Sequence, residues 1–131
     1  MKDLKSLEVA IVDDNTMVRY ATRYMLSNNN ITVAFEAENG QDCIDKMHQS
    51  AQHPDVIVLD IEMPVLTGFQ TAKILKQNWP QTKIIAFSGR DDSESVNTML
   101  AAGADYFLSK QSAPSVFIDM VRTASGLGTL C

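Results

Sequence analysis

The sequence predicts an α/β fold: a sheet of five parallel strands with five helices wound over its two faces. Three observations predict it. Short apolar runs rich in β-branched residues alternate five times with longer stretches of helical spacing, the signature of repeated βα units. One run, Val56-Ile57-Val58-Leu59, is apolar without interruption, as a strand covered on both faces must be. Asn, Gly, Pro and Ser stand where one texture gives way to the other.

Leu7–Val12 is the first strand candidate, and Val18, Ala21, Met25 and Leu26 then mark one face of a helix. Asn28-Asn29-Asn30 ends that helix, since Asn is weak in helix interiors and tolerant of turns. Ile31–Phe35 is the second strand. Asn39-Gly40 reads as a turn signal, and Cys43, Ile44 and Met47 mark the second helical face. Pro54 closes the next loop, Val56–Leu59 is the third strand, and Phe69, Ala72 and Leu75 mark a helix that Trp79-Pro80 terminates. Lys83–Phe87 is the fourth strand, closed by Ser88-Gly89. Asp91, Asp92 and Ser93 are N-terminal helix chemistry. Val96, Met99, Leu100 and Gly103 follow at helical spacing, with Gly103 ending the helix in a left-handed conformation. Tyr106–Leu108 is the fifth strand. Pro114 suits the first turn of a last helix whose core face is Val116, Phe117, Met120, Val121 and Ala124.

A chain of 131 residues with 45% hydrophobic content is expected to form one domain over 1–131, its core at about 6–125, with 126–131 a frayed tail or the start of a linker. Eleven basic against sixteen acidic residues leave a formal charge of −5, which argues against direct binding of nucleic acid. The first apolar run is too short for a signal-peptide core or a membrane span, so the expected location is the cytoplasm, with no membrane contact. Cys43 reads as core and the terminal Cys131 as free; two cysteines so placed do not suggest a disulfide framework. His48 and His53 lack partners at ligand spacing and read as solvated.

In an open α/β sheet, ligands bind outside the carboxyl ends of the strands. Asp13-Asp14 stand at the end of the first strand, Asp60 at the third, Ser88 at the fourth and Lys110 at the fifth. Each has a plain structural explanation when taken alone: a helix cap, a loop acid, a turn, a solvated lysine. Together they form a phosphoryl-transfer set. Clustered carboxylates repel unless a hard cation such as Mg²⁺ relieves them. Lys110 offers a mobile positive charge, Ser88 a hydrogen-bond donor, and a carboxylate nucleophile would form an aspartyl phosphate.

With Asp13-Asp14, Val58-Leu59-Asp60-Ile61-Glu62-Met63-Pro64 and Gly68, Ser88, and Gly103-Ala104-Asp105-Tyr106-Phe107-Leu108-Ser109-Lys110, the sequence closely resembles the response-regulator receivers of two-component signalling, over about residues 6–125. The resemblance implies a flavodoxin-like, doubly wound sheet of order 2-1-3-4-5. It implies Asp60 as phosphoacceptor and Mg²⁺ held by Asp14 and Asp60, by Asp13 through water, and by the backbone carbonyl of Glu62. Ser88 and Phe107 take the places of the switch hydroxyl and switch aromatic, and Lys110 that of the lysine pairing with phosphoryl oxygens. A sensor histidine kinase or a phosphotransfer protein would be the donor. The face of the fourth helix, fifth strand and fifth helix would meet partners or a second copy, and the chain would catalyse only its own phosphorylation and dephosphorylation. Two departures stand out: Gln111 follows the lysine where many relatives have proline, and the switch aromatic is a phenylalanine with no hydroxyl.

Glu62 and Arg90 lie two residues beyond Asp60 and Ser88, and are expected to pair over the site. The rival reading takes Asp60-Ile61-Glu62 as a loose likeness to the nucleophile loop of haloacid-dehalogenase-type phosphohydrolases, which turn over an external substrate. A third is a receiver-like adaptor that never meets phosphate.

Overall fold

The computed structural model describes residues 7–126. The elements alternate as β1 (Glu8–Val12), α1 (Thr16–Asn28), β2 (Thr32–Ala37), α2 (Gly40–Gln49), β3 (Val56–Leu59), α3 (Gly68–Asn78), β4 (Lys83–Ser88), α4 (Ser93–Ala102), β5 (Tyr106–Ser109) and α5 (Pro114–Ala124). All strand pairings are parallel, in the order β2-β1-β3-β4-β5. This is the five-stranded, doubly wound, flavodoxin-like architecture expected from the sequence.

Alternation along the strands divides the core into two layers. Ala10, Val12, Ile57, Leu59, Ile84 and Ala86 face the buried side chains of α2, α3 and α4, among them Cys43, Met47, Leu75 and Met99. Val9, Ile11, Val56, Val58, Ile85 and Phe87 face α1 and α5, through Leu26, Phe117, Ile118 and Val121. β3 is buried throughout, which accounts for its unbroken apolar run.

Helix starts follow from short polar side chains. Asn15, Asn39, Thr67 and Asp92 each accept a hydrogen bond from a first-turn N–H of the helix they precede. Asn39-Gly40 is therefore a helix start, correcting the turn reading. Gly103 closes α4 at φ +124°, as its position suggested, and Asn30 takes φ +62° after α1. β2 runs two residues beyond the expected end, because Glu36 and Ala37 continue the ladder with Ile11 and Val12.

Three helix faces differ from the expected ones. In α1, Ala21 is exposed and Thr22 is buried, its hydroxyl satisfied by donating to the Val18 carbonyl at 2.7 Å. Met17, Tyr20 and Tyr24 form a second apolar stripe turned to solvent. In α4, Ser95 is buried because its N–H and hydroxyl both bond Asp92, whereas Leu100 is 43% exposed. In α5, Val116 is 46% exposed. Cys43 is buried as expected; burial, reinforced by the charge of Asp42, pushes its thiol up to about 12, which leaves it unreactive. His48 and His53 are exposed, and their rings lie 4.9 and 5.7 Å from the Trp79 ring. Cys131 and nearly all of the expected tail lie outside the described residues.

Val65, in the β3–α3 loop, is a β-branched residue at φ +72°. That conformation costs an L-residue with a branched Cβ about 1–2 kcal/mol, and the exposed side chain gains no burial in return. Val65→Asn is expected to raise stability by about 1 kcal/mol, because Asn tolerates this region. The check is the urea midpoint, which should rise at unchanged slope.

Candidate functional site

The order of the sheet brings the sequence-predicted residues to one edge. The Asp60 N–H donates to the Val12 carbonyl at 2.9 Å, so the chain leaves β1 and β3 side by side and Asp13 stands next to Asp60. The Lys110 N–H donates to the Ser88 carbonyl at 3.0 Å, which ties the ends of β4 and β5 in the same way. Asp13, Asp60 and Ser88 are buried, and Asp14 is exposed at the rim. The cleft they line, with Glu62 and Lys110, measures ≈ 540 Å³.

Lys110 Nζ lies 2.7 Å from Asp13 Oδ2 and 3.4 Å from Asp60 Oδ1. The Asn15 N–H donates to Asp13 Oδ1, and the Ile61 N–H to Asp60 Oδ1, each at 2.9 Å. One ammonium thus faces two buried carboxylates. Burial and the charge of Asp13 push Asp60 up to about 6, against the pull of Lys110 and the Ile61 N–H in the other direction. Burial draws Lys110 down, but its hydrogen bond to Asp13 and the charges of Asp60 and Asp13 outweigh that and hold it above the ordinary lysine range.

Carboxylate oxygens of Asp13, Asp14 and Asp60 all lie within 4.8 Å of one another. An all-oxygen set carrying more negative charge than its one lysine can balance fits a hard divalent cation. The Glu62 carboxylate is not part of this group. It turns outward and pairs with Arg90 at 3.1 Å, as expected, at the rim of the cleft.

Backbone packing fixes the floor. The Gly68 N–H donates to the Ile61 carbonyl at 2.6 Å. A Cβ on Gly68 would collide with the Asp60 carbonyl oxygen and meet Ile61 Cα at 2.6 Å. The glycine is what lets α3 start directly against the backbone of Asp60. Phe107 is half-buried against the α2–α3–α4 core layer and is not among the residues lining the cleft. The Ser88 hydroxyl accepts the Arg90 N–H at 3.0 Å. No cis peptide occurs among the described residues, so the Lys110–Gln111 bond is trans.

The profile of the response regulator receiver domain matches residues 9–122. The chain belongs to the response regulator receiver family. Among curated relatives, this receiver is 36% identical over 120 residues to the transcriptional regulatory protein YxjL of Bacillus subtilis, itself described as uncharacterized, covering 91% of the chain and 54% of that protein. It is 30% identical over 126 residues to the nitrate/nitrite response regulator protein NarL of Escherichia coli, covering 95% of the chain and 57% of that protein. The receiver therefore spans about half the length of these relatives. Among solved structures it matches the receiver domain of a putative NarL from Mycobacterium tuberculosis, with TM-score 0.86, 26% identity, and coverage of 93% of this chain and 98% of that one. The chemotaxis protein CheY4 of Vibrio cholerae shares the fold, with TM-score 0.83 at 24% identity, over 92% of this chain and 99% of that one.

Two features of the receiver escaped the sequence reading. Arg19 donates through Nη1 to the Asp13 carbonyl oxygen at 2.6 Å. Met17 and Tyr20 lie on the outward stripe of α1, the helix that Asn15 of the cleft caps. The spacing of Met17, Tyr20, Ala21 and Tyr24 is as helical as that of the buried face, so periodicity alone could have shown the second stripe.

Proposed function

We propose that this receiver accepts a phosphoryl group on Asp60 from a sensor histidine kinase or a phosphotransfer protein, in a Mg²⁺-dependent reaction. The observation that carries the reading is the buried Asp13–Asp60 pair under a single lysine. An ionised Asp60 oxygen attacks phosphorus, the phosphorus–nitrogen bond of the donor histidine breaks with its electron pair going to nitrogen, and a phosphorus–oxygen bond remains on Asp60. Mg²⁺ held by Asp14, Asp60, the Glu62 carbonyl and, through water, Asp13 would neutralise charge on the carboxylates and the incoming oxygens. Lys110 moves its ammonium from Asp13 and Asp60 to a phosphoryl oxygen. Ser88, whose oxygen takes the Arg90 N–H, donates its hydroxyl proton to another.

Drawing Ser88 and Lys110 inward pulls on the ends of β4 and β5. Phe107, on β5, follows through packing, and the population shifts on the α4–β5–α5 face. The exposed Leu100 and Val116 on that face suit a partner or a second copy of the chain. The outward stripe of α1, the helix whose cap Asn15 lines the cleft, suits the donor protein. The chain over 1–131 reads as a single receiver domain with its core at about 6–125, the residues from 126 being a tail or the start of a linker. It acts catalytically only on its own acceptor, binds no nucleic acid itself, and works in the cytoplasm. Among the described residues, no helix is long and apolar enough to cross a membrane.

Intact mass after incubation with acetyl phosphate and Mg²⁺ tests this reading. One added phosphoryl group that requires Mg²⁺ is expected. Phosphate release without an adduct would point to fast hydrolysis of the aspartyl phosphate or to the phosphohydrolase, and neither product to the adaptor.

The Glu62–Arg90 pair then partly screens the aspartyl phosphate from water. Arg90→Ala is expected to speed its hydrolysis by up to about fivefold, the kinetic equivalent of a surface pair worth ~1 kcal/mol. An unchanged decay of the phosphorylated mass would remove this role.

A further inference from the structure

We infer that Arg19, clamped by Glu36, is a positioning residue that aims the Asp13–Asp14 pair at the cation. The inference rests on the Mg²⁺ reading above. It starts from a backbone group that the sheet leaves unpaired. β1 ends at Val12, whose carbonyl is taken by the Asp60 N–H, while the Asp13 N–H still reaches the Ala37 carbonyl at 3.1 Å. The next acceptor, the Asp13 carbonyl oxygen, lies beyond the ladder. It is satisfied by Arg19, reaching back from the second turn of α1 at 2.6 Å. The peptide so held joins Asp13 to Asp14. Fixing its plane fixes the directions in which a buried carboxylate and a rim carboxylate leave the backbone.

A free guanidinium here would oppose a cation through its charge. Glu36, on β2, reduces that conflict: its carboxylate lies 3.5 Å from Arg19 Nε. Glu36 is itself held, by Arg23 at 2.9 Å. Arg19 thus keeps its donors and its geometry while part of its charge is offset by the carboxylate it shares with Arg23. Its side chain is only 18% exposed, so the contact is shielded from competing water. A lysine could supply charge but not the planar fork that serves the carbonyl and Glu36 together.

Charge and positioning predict opposite signs for one substitution. If Arg19 acted only as a nearby cation, Arg19→Gln would tighten Mg²⁺ binding. If it positions the pair, Arg19→Gln weakens binding by about tenfold, as loss of an outer-sphere partner commonly does. Arg19→Lys, which preserves the charge, weakens it as well. The measurement is Mg²⁺ titration by isothermal calorimetry on the native chain and both variants, with thermal unfolding recorded alongside. In the acetyl phosphate reaction, half-saturating Mg²⁺ should rise in both variants while the rate at saturating Mg²⁺ holds, a split that a merely structural contact would not produce. Native or tighter affinity in Arg19→Gln overturns the inference. Should that variant fail to fold, native affinity in Arg19→Lys overturns it equally. A native chain that binds no Mg²⁺ removes the underlying reading and this inference with it, whereas native binding that neither variant weakens removes the inference alone.

Discussion

Asp60→Asn is expected to abolish phosphoryl uptake and, in the absence of divalent ions, to make the protein more stable. The two effects share a cause. The Asp60 carboxylate is buried beside Asp13, and burial pushes its pKa up to about 6 from an ordinary 3.8. A carboxyl group raised in this way binds its proton more tightly folded than unfolded. The contribution of Asp60 to stability is therefore greatest at low pH and is lost as pH climbs through the window from about 4 to 6. At neutral pH the ionised group costs the native state about 1–2 kcal/mol, after allowance for solvent at the open side of the cleft. Asn has no charge to repel Asp13, and its Oδ1 can still accept from the Ile61 N–H. The variant should melt about 4–8 °C above the native chain at pH 7.5 without metal. It should also lack the native fall in stability between pH 4 and 6. Mg²⁺ should narrow the gap by stabilising the native chain, by about 2.7 kcal/mol at a hundred times its dissociation constant. A native-like melting temperature in the metal-free variant would show that the Asp13–Asp60 repulsion is already relieved.

Lys110→Met carries the opposite sign. Lys110 is the counter-charge to Asp13 at 2.7 Å and to Asp60 at 3.4 Å, and methionine keeps the stem while deleting the ammonium. Breaking a buried ion pair from one side costs about 3–5 kcal/mol, and the partial exposure of Lys110 brings the expected loss to about 2 kcal/mol at pH 7.5. Since Lys110 is held above the ordinary lysine range, its own contribution persists through neutral pH and is lost only in strong alkali. Acidifying the variant from pH 8 to pH 5 should restore much of the deficit, as Asp60 takes up a proton. Phosphoryl uptake should slow by about a hundredfold, the typical cost of removing one preorganised donor to developing charge. Denaturant titration at the two pH values and mass-resolved uptake check both claims. Equal deficits at pH 8 and pH 5 would separate the stability loss from the carboxylates.

Much of this was legible in the sequence because strands write their burial directly. An unbroken run such as Val56–Leu59 has one place to go, and the residue after each run must stand at the sheet edge. Asp13, Asp60, Ser88 and Lys110 were found in that way, and the receiver resemblance told which neighbours to expect. Helix faces were less legible where two stripes compete. α1 carries apolar residues on both sides, and the side that turns inward includes Thr22, whose hydroxyl is satisfied within the helix. In α4, Ser95 displaces Leu100 from the interior because the Asp92 cap absorbs its polarity. Arg19 left no local pattern: one partner is a backbone carbonyl, which has no letter in the sequence, and the other, Glu36, stands on a different element. The strained Val65 went unseen for a related reason, since nothing in its side chain announces a positive φ.

The parallel sheet has a consequence for the time at which the site comes into being. Parallel neighbours cannot be joined by a tight turn, so every pairing waits on an intervening helix and on contacts far apart in the chain. Asp13 leaves the first strand and Lys110 the last. A nascent chain that has not yet added β5 to the sheet holds its carboxylates without a counter-ion and without a cleft. The acceptor proposed here is a property of the finished topology alone, and an incompletely folded molecule has no means of being loaded with a signal.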